Sequence, residues 1–336
     1  MRDVIKKITA GDFDVNLKMD RSDELGELGD GINFMTRSLK DYIEKIVKLN
    51  AAYFRFVPKN FLNILNRESM LTVDLGDNTC RKMAVLFSDI RNFESLSEKM
   101  TPQENFNFIN SFLKNMGPII RENSGFIDKY IGDSIMALFE NPDEALKCTK
   151  LMIESLTGYN LNRKNSGYEP ISIGIGLHYG ELMLGIIGES ERLNATVISD
   201  SVNLASRLER LCKQYGALVI VSGSFLDRCR NPQNYDIRPL GRVRVKGKLE
   251  PTELYEVLVP SIDECSKLKS ESRKLFADGV SRYHNKDIAG ALKAFNEIHG
   301  QNPQDKGALV FIEKCRSLLR DGVPENFCGT DELTEK

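Results

Sequence analysis

The sequence predicts an α+β fold, a mostly antiparallel sheet flanked by helices, preceded by a dimeric coiled coil and followed by a small helical unit. Three observations predict this order. An unbroken 3-4 spacing of apolar residues runs through Leu25, Leu28, Ile32, Met35, Leu39, Tyr42, Ile46 and Leu49. Between residues 81 and 262, short strand-like runs alternate with amphipathic helical stretches. Beyond residue 262 the strands end and only helical patterns remain.

The first pattern is a coiled-coil seam. An amphipathic helix lying on its own domain is the simpler reading, but eight consecutive positions without a slip favour a partner helix and a parallel dimer. Ahead of the seam, an apolar pattern at Val4, Ile5 and Ile8 stops at Gly11-Asp12, and a second helix starts after Asp23-Glu24-Leu25-Gly26. With Asn33 and Met35, these residues resemble the second half of a HAMP signalling module, so residues 1–50 are expected to form a partial HAMP-like segment and coiled coil. Such modules commonly follow a transmembrane segment, which the chain lacks as written; a fragment or a shortened relative is expected, on the cytoplasmic side of a membrane if an anchor precedes residue 1.

Residues 51–80, with Phe54, Phe56 and Val57-Pro58, have no regular period and are expected to be a connector. The apolar run Met83 to Phe87 suits a central strand buried on both faces. Thr101-Pro102-Gln103-Glu104 opens a helix with a capping box and a proline at its first position. Phe126 to Ile131 and Ser134 to Phe139 read as strands joined through Gly132-Asp133, a tight-hairpin signal. Further strands are expected at 171–179, 181–187, 195–199, 217–222, 238–246 and 252–258, with helices at 143–157 and 200–214. Helices follow at 267–284, 287–300 and 305–319. There Gly279, Ala291, Phe295 and Pro303 resemble part of a tetratricopeptide repeat. One such unit cannot bury its own face, so residues 263–336 should dock on the core or on a partner.

The composition limits the chemistry. In 336 residues, 46 Lys and Arg nearly balance 48 Asp and Glu, so no global field attracts nucleic acid. Seven scattered cysteines without CxxC spacing read as reduced thiols of a cytoplasmic protein. Three distant histidines do not suit a histidine-built zinc site, and a metal here needs carboxylates. No apolar run approaches the length of a membrane span.

Asp89 follows the buried strand and Asp133 lies in the hairpin. If those strands pair, the two carboxylates meet at one sheet edge and supply the hard oxygen ligands that Mg²⁺ takes alongside substrate phosphates. Alone, either Asp reads as a turn or cap residue. Asn203 and Arg207 are four apart and share a helix face, with Leu204, Leu208 and Leu211 on the face beside it. Backbone N–H groups of Ile90 to Phe93 could cradle phosphate oxygens.

The blocks FSDIRNF, GFIDKYIGDSIMALF, IGIGLHYGELMLGIIG, TVISDSVNLASRLE and RVRVKGK occur in the order seen in class III nucleotidyl cyclases. Residues 81–262 resemble that catalytic domain, whose core is ferredoxin-like. The resemblance implies that Asp89, Asp133 and Ile90 bind two metals, Mg²⁺ or Mn²⁺, and that Lys129 and Thr196 contact the base. It further implies that Asn203 positions the ribose, Arg207 stabilises the reacting phosphate, Phe93 lies against the substrate and Lys246 holds the terminal phosphates. In that family the sites form between the subunits of a head-to-tail dimer.

Lys129 and Thr196 imply an adenylate cyclase, which converts ATP into cyclic AMP and pyrophosphate. A guanylate cyclase typically has Glu and Cys at those positions. A diguanylate cyclase would carry a GG[DE]EF signature, which is absent. A catalytically silent dimeric scaffold is the alternative from another class, and every catalytic position is filled.

Overall fold

The computed structural model describes residues 2–18, 21, 23–55, 59–67, 72–245, 250–325 and 327–333. They fall into two compact units, residues 1–61 and residues 62–336. In the first unit, helix α1 (Arg2–Thr9) precedes the long helix α2 (Glu24–Tyr53). Asp23 caps α2 by accepting from the Gly26 N–H, which satisfies one of the donors that a helix start leaves unpaired. Asn33 clamps the incoming chain, its side chain accepting from the Leu17 N–H (2.7 Å) and donating to the Leu17 carbonyl (2.9 Å). The seam residues Leu28, Met35, Tyr42, Ile46 and Leu49 are exposed on the single chain.

Helix α3 (Lys59–Ile64) precedes the second unit's sheet. Thus the stretch expected as an irregular connector carries a short helix and the start of a strand, while Phe56, Val57 and Pro58 lie outside the described residues. The sheet is built from β1 (Asn78–Ile90), β2 (Phe126–Ile131), β3 (Ser134–Phe139), β4 (Ile173–Glu189), β5 (Arg192–Ile198), β6 (Val219–Ser222), β7 (Asp236–Val245), β8 (Thr252–Leu258) and β9 (Thr330–Leu333). The order is β2-β3-β1-β4-β6-β8-β7-β9, with β5 on the far half of β4. Six of the eight pairings are antiparallel and only β4–β6 and β7–β9 are parallel.

Two expectations are corrected here. Residues 171–179 and 181–187 were expected as two strands, yet β4 is one strand, because the Gly180 backbone stays in register opposite Met83. Strands do not end at residue 262 either: β9 lies parallel to β7, pairing Arg242 with Thr330 and Val245 with Leu333. A free edge on β7 recruits this polar tail through its backbone, which no apolar alternation announces.

Helices α4 (Phe93–Ser97), α5 (Pro102–Glu122), α6 (Pro142–Asn165), α7 (Asp200–Tyr215) and α8 (Gly223–Leu226) belong to the same unit. The capping box at Thr101 and Glu104 forms as expected. Phe112, Met116 and Ile120 of α5 and Met152 and Ile153 of α6 pack on Leu86, Ile135 and Ile175 of the sheet, forming one core.

After the short helix α9 (Glu264–Glu271), a second core joins α7 to helices α10 (Arg273–His284), α11 (Ile288–Gln301) and α12 (Lys306–Asp321). The helix expected over 267–284 is therefore two, broken at Ser272, whose hydroxyl turns back onto the Leu268 carbonyl. Leu204, Leu208 and Leu211 seat α7 on the sheet against Ile220, Leu240 and Leu254, and the same face also receives Phe276, Phe295 and Phe311 of the C-terminal helices. The C-terminal helices thus bury their apolar face on the second unit's own sheet and α7. A buried ion network fastens them: Arg238 of β7 donates to Glu256 of β8 (2.7 Å) and to both oxygens of Asp305 (2.6 and 2.9 Å), which caps α12. Lys269 completes it through Glu256 at 2.9 Å. Among the described residues no helix is long and apolar enough to cross a membrane.

Breaking one arm of a buried ion pair strands the remaining charge. Asp305→Ala should therefore lower stability by about 3 kcal/mol, measured by urea denaturation. A loss below about 1 kcal/mol, the size of an exposed pair, would show that Asp305 does not hold the helices to the sheet.

Candidate active site

β1 is buried through Met83 to Phe87 and brings Asp89 out at its end. Its partner β3 lies antiparallel with Ser88 opposite Ile135. The β2–β3 hairpin turns through Gly132 and Asp133, with Gly132 at φ 64° and Ile131 opposite Ser134. Only glycine enters that left-handed region without strain. This register sets Asp133 beside Asp89. The Ile90 N–H donates to Asp133 Oδ2 (3.3 Å), and Ser134 Oγ donates to Asp89 Oδ1 (2.6 Å). Burial, and then the Asp89 carboxylate, pushes Asp133 up to about 7.

The pair fits a hard divalent cation. Two carboxylates with room for phosphate oxygens are the donor set Mg²⁺ takes, and Asp133's raised pKa reports negative charge that lacks compensation. Ile90 has a buried side chain, so only its backbone can face a metal. The phosphate cradle expected from Ile90 to Phe93 is narrower than its sequence suggests. The Ile90 N–H is held by Asp133 and the Arg91 N–H by the Ser172 carbonyl (2.8 Å), which leaves Asn92 and Phe93. The Phe93 ring turns inward and stacks on Phe108 at 6.3 Å, so only its backbone is available to a substrate.

Asn203 and Arg207 lie on α7, capped by Ser199, whose side chain accepts from the Ser201 N–H. Asn203 is exposed and Arg207 half-buried. Arg207 Nη1 is buried with no hydrogen-bond partner among the described residues, a donor left for an anion. Glycines set the height of this helix above β4. A Cβ at Gly176 would come within 2.3 Å of the Ala205 carbonyl oxygen and 2.4 Å of the Glu209 nitrogen. Likewise the space at Gly174 is filled by Arg91, which pairs with Glu209 of α7 at 3.0 Å. Gly174 and Gly176 of β4 are thus the seat of the helix.

Lys129 of β2 and Thr196 of β5 meet: Lys129 Nζ donates to Thr196 Oγ1 at 2.9 Å. Asp128, whose carboxylate burial raises its pKa, stands 3.2 Å from the same ammonium. Sequence reasoning missed Asp128, Ser134 and the Arg91–Glu209 pair; each is a polar residue with no pattern to mark it. Lys246 lies outside the described residues.

A mostly antiparallel sheet that ends in a carboxylate pair, with a guanidinium nitrogen left without a partner among the described residues on a helix seated against it, has the donor set that suits a divalent metal and phosphates. Comparisons with known proteins narrow the class. Residues 76–258 match the model of the adenylate and guanylate cyclase catalytic domain, and residues 1–41 match that of the HAMP domain. The chain belongs to the adenylate and guanylate cyclase catalytic-domain family. An adenylate cyclase of Anabaena cylindrica is 39% identical over 75% of this chain and 52% of its own length. A terminal-differentiation-specific adenylate cyclase of Dictyostelium discoideum is 31% identical over 83% of this chain but 13% of its own length. The chain thus spans about half of the first relative and a small part of the second. The solved structure of a bacterial light-regulated adenylyl cyclase superposes with a TM-score of 0.57 at 26% identity, covering 66% of this chain and 64% of that one. Catalytic domains of this family generally use divalent metal ions.

Asp133 ties stability to pH. Its folded pKa is raised, so the folded state holds a proton that the unfolded chain has lost, and stability falls as pH rises from about 4 to about 7. Glu209, also pushed up to about 7 by burial, adds in the same direction. In metal-free buffer the Tm should drop across this window, and Mg²⁺ at pH 8 should restore part of it. In Asp133→Asn both the Mg²⁺ response and part of the pH slope should disappear. An unchanged Mg²⁺ response in that variant would place the cation elsewhere.

Proposed function

We propose that this chain is an adenylate cyclase that forms 3′,5′-cyclic AMP and pyrophosphate from ATP, as a homodimer with shared active sites. The observation that carries the choice of base is the 2.9 Å contact between Lys129 and Thr196. An ammonium can only donate hydrogen bonds, and adenine N1 accepts one. Guanine carries a donor at N1, so its binding would set two buried donors against each other. The Thr196 hydroxyl, which accepts one hydrogen bond from Lys129, keeps a second lone pair for the adenine 6-amino group.

Two divalent ions, Mg²⁺ or Mn²⁺, would be held by Asp89, Asp133 and the Ile90 backbone. When bound, they lower the pKa of the ribose 3′-hydroxyl and neutralise the leaving pyrophosphate. The chain's own groups do the rest. Asn203 orients the ribose so that the 3′-oxygen lies in line with the α-phosphate. Arg207 turns its unpaired Nη1 to the charge that grows on that phosphate, and losing such a donor costs about 3 to 4 kcal/mol. The N–H groups of Asn92 and Phe93 hold phosphate oxygens, and Lys246 receives the terminal phosphates.

Dimerisation follows from α2, whose Leu28, Met35, Tyr42, Ile46 and Leu49 are exposed on one chain at coiled-coil spacing. A second copy covers this seam, and the match to the HAMP model supports reading the same helix as the input for a sensor.

Incubation with ATP and Mg²⁺, followed by mass analysis, should give cyclic AMP and pyrophosphate. Asp89→Asn should retain less than about a hundredth of the rate. A rate above about a tenth of the parent's would remove Asp89 from the metal set. The ratio of kcat/KM for ATP over GTP should favour ATP by about ten- to a hundred-fold. In Lys129→Glu with Thr196→Cys it should shift towards GTP, because Glu accepts from guanine N1 and its 2-amino group. A ratio that does not move would remove Lys129 from base reading.

A further inference from the structure

A cavity of about 540 Å³ opens between α4, α5 and the C-terminal end of α6, lined by none of the residues assigned to the active site. Its size is that of a small-molecule site. Leu96, Met100 and the rings of Tyr159 and Tyr168 give it apolar walls. Arg163 lies among them and is only 8% exposed.

This arginine is unusual in its pairing. Its Nε donates to the Glu169 carbonyl at 2.8 Å, while Nη2 is buried with no hydrogen-bond partner among the described residues. No carboxylate among the described residues comes within ion-pairing distance of it. Its guanidinium is held between aromatic rings, 4.6 Å above Phe108 and 5.4 Å from Tyr168. Ring faces attract a cation but do not replace the hydrogen bonds lost on burial. A buried charge is ordinarily paired. The fork of a guanidinium matches a carboxylate, and the surrounding rings match a flat apolar body.

We propose that this cavity binds a small, singly charged organic acid, an aromatic carboxylate in chemical class, whose carboxylate pairs with Arg163 and whose ring lies between Tyr159 and Tyr168. The charge at the cavity limits the ligand to one negative charge. Lys99 adds a cation at the exposed side, but Glu104 and Glu169 also line the cavity and oppose a polyanion. Glu104 is already engaged with Thr101, so it does not neutralise Arg163.

The test is isothermal titration of the full chain with naphthalene-2-carboxylate, with naphthalene-2-carboxamide as the uncharged twin and phenyl phosphate as the doubly charged one. The carboxylate should bind saturably, one per chain. The amide and Arg163→Gln should each weaken binding by about ten- to a hundred-fold. Should Arg163→Gln fail to fold, Tyr168→Ala, at an exposed ring, should still weaken the carboxylate, and the comparison with the amide on the parent chain still decides. Hydrogen exchange should show added protection in residues 96–108 and 159–169. Equal affinity for carboxylate and amide, tighter binding of the phosphate, no saturable binding, or protection confined elsewhere would each overturn the proposal. Binding is read without turnover, so its failure is distinct from a failure of the cyclase reading.

Discussion

Everything at the site depends on two carboxylates that repel each other and are nevertheless held together. Asp89 ends a strand that is buried on both faces, and Asp133 sits in a two-residue turn whose register is fixed by β3. Neither can retreat without slipping the sheet, and a slip of one residue would turn every side chain of that strand to the other face. The hydroxyl of Ser134 and the N–H of Ile90 relieve part of the charge. The rest is charge that a cation would suit.

The second half of the chemistry is positioned by absence. Glycines at 174 and 176 let the backbone of α7 lie nearly on β4, and the space at Gly174 admits the Arg91–Glu209 pair. Arg91 follows the metal-site segment and Glu209 follows Arg207, so one ion pair joins the carboxylate edge to the helix that carries Asn203 and Arg207. The adjoining face of α7 is backed by the C-terminal helices through Leu204, Leu208, Phe276 and Phe311. The helical unit therefore supports α7 as well as closing its own core.

Much of this was legible in the sequence where the signals were local. The Gly132-Asp133 turn, the capping box at Thr101, the apolar run before Asp89 and the spacing of Asn203 and Arg207 each have a short-range cause. Signals that depend on tertiary pairing were not legible. Gly180 reads as a strand breaker and is not one, and the polar residues Thr330 to Leu333 gain strand structure only from the edge of β7. Nothing in the sequence marks Arg238 and Arg163 as other than the exposed cations that charged residues usually are, yet both are buried. The meeting of Lys129 with Thr196, distant in sequence, followed only from the family resemblance and not from any pattern in the residues.

The shared site we propose takes, as the family resemblance implies, its carboxylates from one copy of the chain and its Asn, Arg and base contacts from the other. The most direct measurement mixes Asp89→Ala subunits with Arg207→Ala subunits, each inactive alone, and follows cyclic AMP formation. Random pairing makes half of the dimers mixed, and each mixed dimer keeps one intact site, so activity should return to about one quarter of the parental rate. No recovery, with mixed dimers shown to form, would place each site within a single chain and contradict the account.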